Sequence, residues 1–252
     1  DKRRLSPAVS LSWRSFSEST LRIRASYKDI FRVPTFTDLY YLRMGNTNLK
    51  PEETSQYNVG VTWSSSCGDW LRHFSISADG YYNTVKDKIV ALPTMYVWKM
   101  MNMGEVDIKG VDVNLSTQFR LPLRMSLLLA STYSFQYAVD VTDPEAKNYK
   151  DQIPYTPRHS GTVSVTLENP WVNVSYILTA VGDRYALPQN IDRNRIDSYI
   201  EQSISINRDF RFRYFGLRLQ GELLNLANVN YDVIQYYPMP GRSWRLSICL
   251  SY

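Results

Sequence analysis

Trp244-Arg245-Leu246-Ser247-Ile248-Cys249-Leu250-Ser251-Tyr252 are the last residues of the sequence. Every even position carries a bulky apolar or aromatic side chain, and every odd position carries Arg, Ser or Cys. Side chains of a β-strand alternate between its two faces, so this stretch has one apolar face and one polar face. The same period recurs upstream. Leu21, Ile23, Ala25 and Tyr27 alternate with Arg22, Arg24 and Ser26, and Tyr57, Val59, Val61 and Trp63 alternate with Asn58, Gly60 and Thr62. Leu123, Met125, Leu127 and Leu129 run in phase through Ser131 to Tyr133, Phe135 and Tyr137, and Leu217, Leu219 and Leu223 share a phase with Gly221. Helical periodicity is hard to find.

The pattern predicts an all-β chain of about eleven antiparallel strands, near 5–14, 19–28, 55–64, 71–86, 97–119, 123–137, 159–168, 171–181, 196–207, 213–226 and 242–252. The fifth changes phase near Gly110: Val106 and Ile108 are even, whereas Val111, Val113 and Leu115 are odd. A β-bulge there is the expectation. Connections alternate in length. Short ones follow Trp13, Trp63, Phe119, Glu168 and Asn207, and long ones cover 29–54, 87–96, 138–158, 182–195 and 227–241. Short turns at one end and long loops at the other are the arrangement of a transmembrane β-barrel, with the long loops outside the cell. Trp13, Trp63, Trp70, Phe119, Trp171 and Phe210 crowd the short-turn end, as an interfacial girdle does.

Composition agrees with this reading. Among 252 residues there are 19 Tyr but only 11 Gly, and mean hydropathy is negative. Alternation keeps the average of a membrane barrel polar, and no apolar run approaches the roughly 20 residues of a membrane helix. No signal peptide is visible, so a precursor's N-terminus is absent or removed. The net charge of +5 is spread along strands and turns rather than gathered in a stripe, which argues against nucleic-acid binding. The two cysteines, Cys67 and Cys249, are far apart and lack metal spacing. Their strands lie about eight positions apart in the sheet, so both are expected to be free thiols.

Three segments carry a family resemblance. Phe31-Arg32-Val33-Pro34-Thr35-Phe36 is followed by Leu39-Tyr40-Tyr41 and then by Gly45-Asn46-Thr47-Asn48-Leu49-Lys50-Pro51-Glu52. Asn102-Met103-Gly104 precedes Ile108-Lys109-Gly110-Val111-Asp112. Asn225-Leu226-Ala227, Tyr231 and Pro240-Gly241-Arg242 lead into the last strand. Together and in this order they resemble the TonB-dependent receptors of Gram-negative outer membranes, and within them the cobalamin, siderophore and haem receptor group. Val33 stands where Ala is usual, Thr47 where Pro is usual, and Ala227 where an aromatic is usual. Physical chemistry supports the boxes independently. Gly45 with Asn46-Thr47-Asn48 is turn chemistry, and Pro51 and Pro240 stiffen approaches to strands.

The resemblance implies that the chain is the C-terminal half of a 22-stranded barrel, with the plug domain absent from this chain. The missing N-terminal half-barrel and plug are expected partners, as are the TonB complex (acting through the plug, near whose N-terminus the TonB box lies), outer-membrane lipid, and the barrel assembly machinery. The expected activity is import of a small organic or metal-chelate ligand, cobalamin or a ferric siderophore ahead of haem. Haem receptors of the family often place a ligating His between the first two boxes, and Thr35–Met44 has none. The terminal assembly signal would be Trp244, Leu246, Ile248, Leu250 and Tyr252, whose apolar row is expected to face lipid. The rival architecture is a smaller closed barrel of ten or twelve strands acting as a pore, recognisable by pairing of the first strand with the last.

Candidate site residues follow from loop position. Tyr40, Tyr41, Tyr96, Trp98, Tyr185, Tyr236 and Tyr237 lie in or beside long loops, where π faces suit a flat organic ligand. Arg22, Arg24 and Lys28 oppose the apolar row and are expected to line the lumen, where they would attract an anion or meet the plug. Met44, Met95, Met100, Met101 and Met103 are soft ligand types but read better as loop packing. No cofactor and no resident metal are expected. Catalysis needs a base beside a nucleophile or carboxylate. The only histidines, His73 and His159, fall at opposite ends of strands, so an enzyme is not expected. A soluble all-β binding module is the remaining alternative class.

Overall fold

A computed structural model describes residues 5–15, 20–94 and 96–251, and of Cys67 the backbone alone. In chain order the elements are β1 (Ala8–Arg14), β2 (Thr20–Arg32), the one-turn helix α1 (Phe36–Tyr40), β3 (Glu52–Cys67), β4 (Leu71–Pro93), β5 (Trp98–Leu121), β6 (Met125–Asp140), β7 (His159–Glu168), β8 (Asn173–Val181), β9 (Arg184–Tyr185), β10 (Arg195–Ile196), β11 (Tyr199–Arg211), β12 (Gly216–Leu224), β13 (Asp232–Ile234), β14 (Tyr237–Pro238) and β15 (Ser243–Ser251). Eleven strands form one antiparallel sheet in the order β1-β2-β3-β4-β5-β6-β7-β8-β11-β12-β15, each beside its sequence neighbour. β9–β10 and β13–β14 are two small ribbons inside the long loops. β1 and β15 do not pair with each other, so the described sheet is open at both edges and the small closed barrel is excluded.

Cross-strand register collects the alternating residues into two faces. Val9, Leu11 and Trp13 pair with Tyr27, Ala25 and Ile23, which pair in turn with Tyr57, Val59 and Val61. The same face continues through Ala78 and Gly80, Val111 and Val113, Tyr133 and Phe135, Val163, Leu178, Ile204 and Ile206, and Leu223, to Trp244 and Leu246. These side chains are exposed or half-exposed in the chain as it stands. An apolar face this broad demands an apolar medium, because a contiguous exposed patch far above a few hundred Å² is not tolerated in water. Along β5 the stretch Val111–Phe119 spans roughly 27 Å at ~3.4 Å per residue. At the ~40° strand tilt of membrane barrels this is ~20 Å upright, close to their ~25 Å apolar band. Trp63 against Phe74 (5.1 Å) and Trp70 stacked on Phe119 (5.7 Å) mark its short-turn edge. Tyr27 against Tyr57 (4.9 Å) and Phe135 against His159 (5.2 Å) mark the other.

The opposite face is polar: Ser26, Asn58, Ser77, Asn114, Thr132, Thr162, Thr179 and Ser203 follow one another across the strands. Arg24, Gly60 and Asp79 make one row of it. Arg24 Nη2 donates to Asp79 Oδ1 at 2.7 Å, directly over the glycine. A Cβ on Gly60 would fall 2.0 Å from that carboxylate oxygen, so the ion pair needs a residue without a side chain between its partners.

Two expectations are corrected. Register runs unbroken past Gly110 on both sides, so no bulge sits there. The phase changes because polarity changes. Above Gly110 the even residues Val106 and Ile108 still point to the inner side, but there they are buried with Val85, Met103, Ala138 and Ile153 in one apolar cluster. The loop after β6 folds back over that side and removes it from water. Gly110 is small because the Tyr81 ring lies across it; a Cβ would meet Tyr81 Oη at 2.5 Å. The second correction concerns 87–96, which is not a long loop. β4 and β5 stay paired up to Pro93 and Trp98, leaving a short turn on a tall two-stranded blade.

Candidate ligand-binding site

The blade, the loop 141–158 and the two ribbons converge beyond the apolar belt. The blade turn is held by Thr94 N–H to Val97 O at 2.9 Å, which places Tyr96 fully exposed at the tip and Trp98 on the strand below. Trp98 meets the Tyr155 ring at 5.6 Å. Tyr155 sits in Pro154-Tyr155-Thr156-Pro157 with positive φ, and its N–H donates to Tyr185 O at 2.7 Å. Burial pushes the Tyr155 phenol above its usual range. A cleft of about 550 Å³ is walled by Val90, Leu92, Trp98, Pro154, Tyr155, Arg184, Tyr199 and Ile234. An adjoining one of about 590 Å³ is walled by Tyr96, Trp98, Tyr155, Leu187, Ile234, Tyr236 and Tyr237. Trp98, Tyr155 and Ile234 belong to both, so the two are lobes of one aromatic groove.

Arg184 is the cation of this wall and is only 3% exposed. Its Nη2 donates to Asp232 O and Val233 O, and its guanidinium lies 5.6 Å from the Tyr199 ring. Its Nη1 is buried with no hydrogen-bond partner among the described residues. A buried unpaired donor costs roughly 1–3 kcal/mol, so an accepting group brought to this wall would recover part of that. Behind it, Tyr199 stacks on Tyr231 at 4.1 Å, and Tyr231 Oη donates to Glu201 at 3.0 Å. Burial and the Glu201 carboxylate push the Tyr231 phenol up to about 12. It therefore stays a neutral donor throughout the physiological range.

Of the sequence candidates, Tyr96, Trp98, Tyr236 and Tyr237 share the groove. Tyr185 stands behind its wall, its carbonyl holding Tyr155 and its strand paired to Arg195. Tyr40 and Tyr41 are not lining residues; Tyr40 packs on Phe36 at 4.9 Å on α1. Arg22, Arg24 and Lys28 are on the polar face, away from the groove. Trp244, Leu246, Ile248 and Leu250 are on the apolar face of β15, and Tyr252 lies outside the described residues. Cys249 is an exposed free thiol opposite Arg218, while the Cys67 side chain lies outside the described residues. Met103 is absorbed into the apolar cluster, Met44 and Met100 meet through backbone (Met100 N–H to Met44 O, 2.9 Å), and Met95 lies outside the described residues. His73 pairs with Gln118 near the short turns and His159 with Phe135 at the loop end.

Tyr155, Arg184, Tyr199 and Ile234 escaped sequence reasoning. The signal for Tyr155 was its bracketing by prolines, which pins an aromatic in an otherwise long loop. Arg184 gives no local signal, because its partners are carbonyls 48 and 49 residues away.

The sequence boxes turn out to be brackets for the blade. Arg32 ties Asp38 (2.9 Å) and Glu52 (3.4 Å) together, and Glu52 accepts Ile89 N–H at 3.2 Å. Thr35 and Asp38 cap α1 reciprocally. Asn102 accepts Lys50 N–H at 2.8 Å and donates to Lys50 O (3.1 Å) and Asp87 O (2.7 Å). Asn225, 3% exposed, donates to Val229 O and Pro240 O and accepts Val229 N–H, which folds the loop carrying β13 and β14.

The profile of the family described as TonB dependent receptor-like, beta-barrel, matches residues 1–226. This chain belongs to the TonB-dependent receptor β-barrel family. The curated relatives of this receptor chain include a protein named vitamin B12 transporter BtuB from Photobacterium profundum, 27% identical over 236 residues, covering 90% of this chain and 34% of the relative. The chain thus spans about a third of the length of the curated relatives it matches. Among solved structures, the ferric citrate transporter FecA in its unliganded form superposes with a TM-score of 0.72 at 12% identity, covering 97% of this chain and 38% of that one. The copper transporter OprC superposes with a TM-score of 0.70 at 16% identity, covering 96% and 39%. At these identities the superpositions establish the receptor fold alone.

Proposed function

We propose that this receptor chain forms the ligand-gripping part of an energised importer in the bacterial outer membrane, taking up a scarce organic or metal-chelate nutrient, cobalamin or a ferric siderophore. The observation that carries this is the aromatic groove shared by Trp98, Tyr155, Ile234 and the Tyr96/Tyr236/Tyr237 rim. Its two lobes are large for a metal ion or a monosaccharide and suit a large, flat, partly apolar ligand. Rings supply area at little rotamer cost. Arg184 would orient a carboxylate, phosphate or amide oxygen of the ligand. Arg22, Arg24 and Lys28 would draw anionic cargo along the polar face or pair with the plug. TonB acting through that plug would release the ligand inward, and the apolar row of β15 would guide assembly of the barrel.

The test is equilibrium binding of cyanocobalamin and of ferric catecholate and hydroxamate siderophores to the full-length receptor. One of these is expected to bind with submicromolar affinity. Trp98→Ala with Tyr155→Ala should weaken it at least ~10-fold, which is ~1.4 kcal/mol or more. Binding that survives the double substitution unchanged would move the site away from this groove.

A further inference from the structure

The apolar face ends abruptly on β4–β6. Gly80, Val111, Phe135 and His159 make its last row toward the loops. One row further, on the same face, stand Tyr82, Lys109 and Tyr137, and then Thr84, Asp107 and Val139. Composition thus switches from hydrocarbon to cation and phenol within one row. Lys109 Nζ lies 5.1 Å from the Tyr137 ring, and the Arg158 guanidinium lies 5.2 Å from the same ring. Lys109 and Lys150 border a pocket of about 290 Å³ with Tyr82, Asp107, Tyr137 and Val141.

The pocket holds Lys109 and Lys150 with one carboxylate, Asp107, and Arg158 stands outside its lining, against the Tyr137 ring. Lys109, Lys150 and Arg158 are exposed, and none of them pairs with a carboxylate among the described residues. Asp107 accepts instead from the hydroxyls of Tyr82 and Thr84, both at 3.1 Å. Arg158 spends its Nε on Gln152 at 2.9 Å, which leaves its terminal nitrogens free to donate. Three cations against one carboxylate leave an excess of two positive charges, which favours a further anion. Lys109, one row beyond the apolar face, stands at the level where lipid headgroups sit, and the loop brings Lys150 and Arg158 beside it.

We propose that Lys109, Lys150 and Arg158 bind the phosphate of a lipid in the outer leaflet, whose acyl chains lie on the rows of Val111, Val113, Tyr133 and Phe135 beneath. The assignment rests on the reading of this face as membrane-embedded with the long loops outward. A lysine pair and a guanidinium suit a phosphate, which accepts several charge-assisted hydrogen bonds at once. Tyr137 and Tyr82 provide an amphipathic floor between phosphate and chains.

The experiment places the full-length receptor in nanodiscs containing lipopolysaccharide or the same lipid stripped of its phosphates, and counts retained lipid by mass spectrometry after dilution into detergent. The wild-type receptor is expected to retain the phosphorylated lipid at least ~10-fold better than the stripped one. Lys109→Gln with Lys150→Gln and Arg158→Gln should remove that preference, whereas Lys109→Arg with Lys150→Arg keeps it. Arg72→Gln with Arg120→Gln and Arg124→Gln, at the opposite rim, should leave it intact. Equal retention by the triple variant and the wild type overturns the site while leaving the membrane-embedded reading standing. A receptor that fails to enter nanodiscs overturns both. Displacement by inorganic phosphate at the lipid's concentration means the pocket takes free phosphate, and the lipid assignment falls.

Discussion

The apolar belt and the aromatic groove are built from similar side chains and behave in opposite ways. In the belt, Val59, Val111, Leu129 and Ile248 point outward at regular intervals, and each residue's role follows from its parity alone. In the groove, Trp98, Tyr155, Tyr199 and Ile234 come from four segments more than 30 positions apart at each step, and no repeat places them. The apolar face is set by a local rule, so it tolerates exchange among apolar residues. The groove is set by long-range brackets, so it is sensitive to single hydrogen bonds far from it.

The sharpest way to break this contrast is a charge in the belt. Ile248→Lys should cost about 2–4 kcal/mol if the residue sits near the bilayer midplane. Ser247→Lys, one position away on the polar face, should cost under about 1 kcal/mol. Reversible unfolding from lipid vesicles reads both, and equal costs would mean that the two faces do not differ in their surroundings. Next is Gly60→Val, which puts a branched side chain where Arg24 and Asp79 meet. The cost should be about 1–3 kcal/mol, as for overpacking, and nearly independent of salt. Asp79→Ala removes only an exposed ion pair and should cost under about 1 kcal/mol.

The brackets make a subtler case. Asn102→Ala strips one acceptor and two donor contacts between Lys50, Asp87 and the blade. About 1–2 kcal/mol is expected. It should be confined to the blade: hydrogen exchange should speed up at the upper ends of β4 and β5 and stay unchanged in β7 and β8. Uniform acceleration would show that blade and belt unfold as one unit. The smallest effect is spectroscopic. Tyr231 is held protonated in the folded protein, with its pKa raised from about 10 to about 12. Its contribution is therefore fully present below pH ~10 and is lost as pH rises from ~10 through ~12. Tyr231→Phe should remove one component from the late part of an ultraviolet phenolate titration, and its small loss of stability should be present at neutral pH and vanish above pH ~12.

How far the residues alone can be read differs along the same line. All eleven sheet strands are legible, and β7 is placed to the residue, because a two-residue period is a local property that any window reveals. Loop-end boundaries of β2, β3, β4 and β6 run short, while those of β11 and β12 overshoot by two or three residues: alternation stops β4 near Lys86, whereas its pairing with β5 continues to Pro93. Hydrophobic alternation stops where the apolar face ends, but hydrogen-bonded pairing does not. Gly110 shows the same limit, since a phase change that reads as an inserted residue is a change of surroundings over an unbroken ladder.

Sequence by itself determined the β class, the strand count, the two faces and the family, because each depends on side-chain type at short spacing or on contiguous boxes. Tertiary structure decided which aromatics meet. Tyr96, Trp98, Tyr236 and Tyr237 gather while Tyr40 and Tyr41 do not, because the height of the blade and the fold-back of 141–158 over Val106 and Ile108 select them. It also decided that Arg184 becomes the buried cation of the groove, through carbonyls contributed by β13. Those contacts join residues tens of positions apart, and their geometry exists only once the sheet has set the distance between the loops.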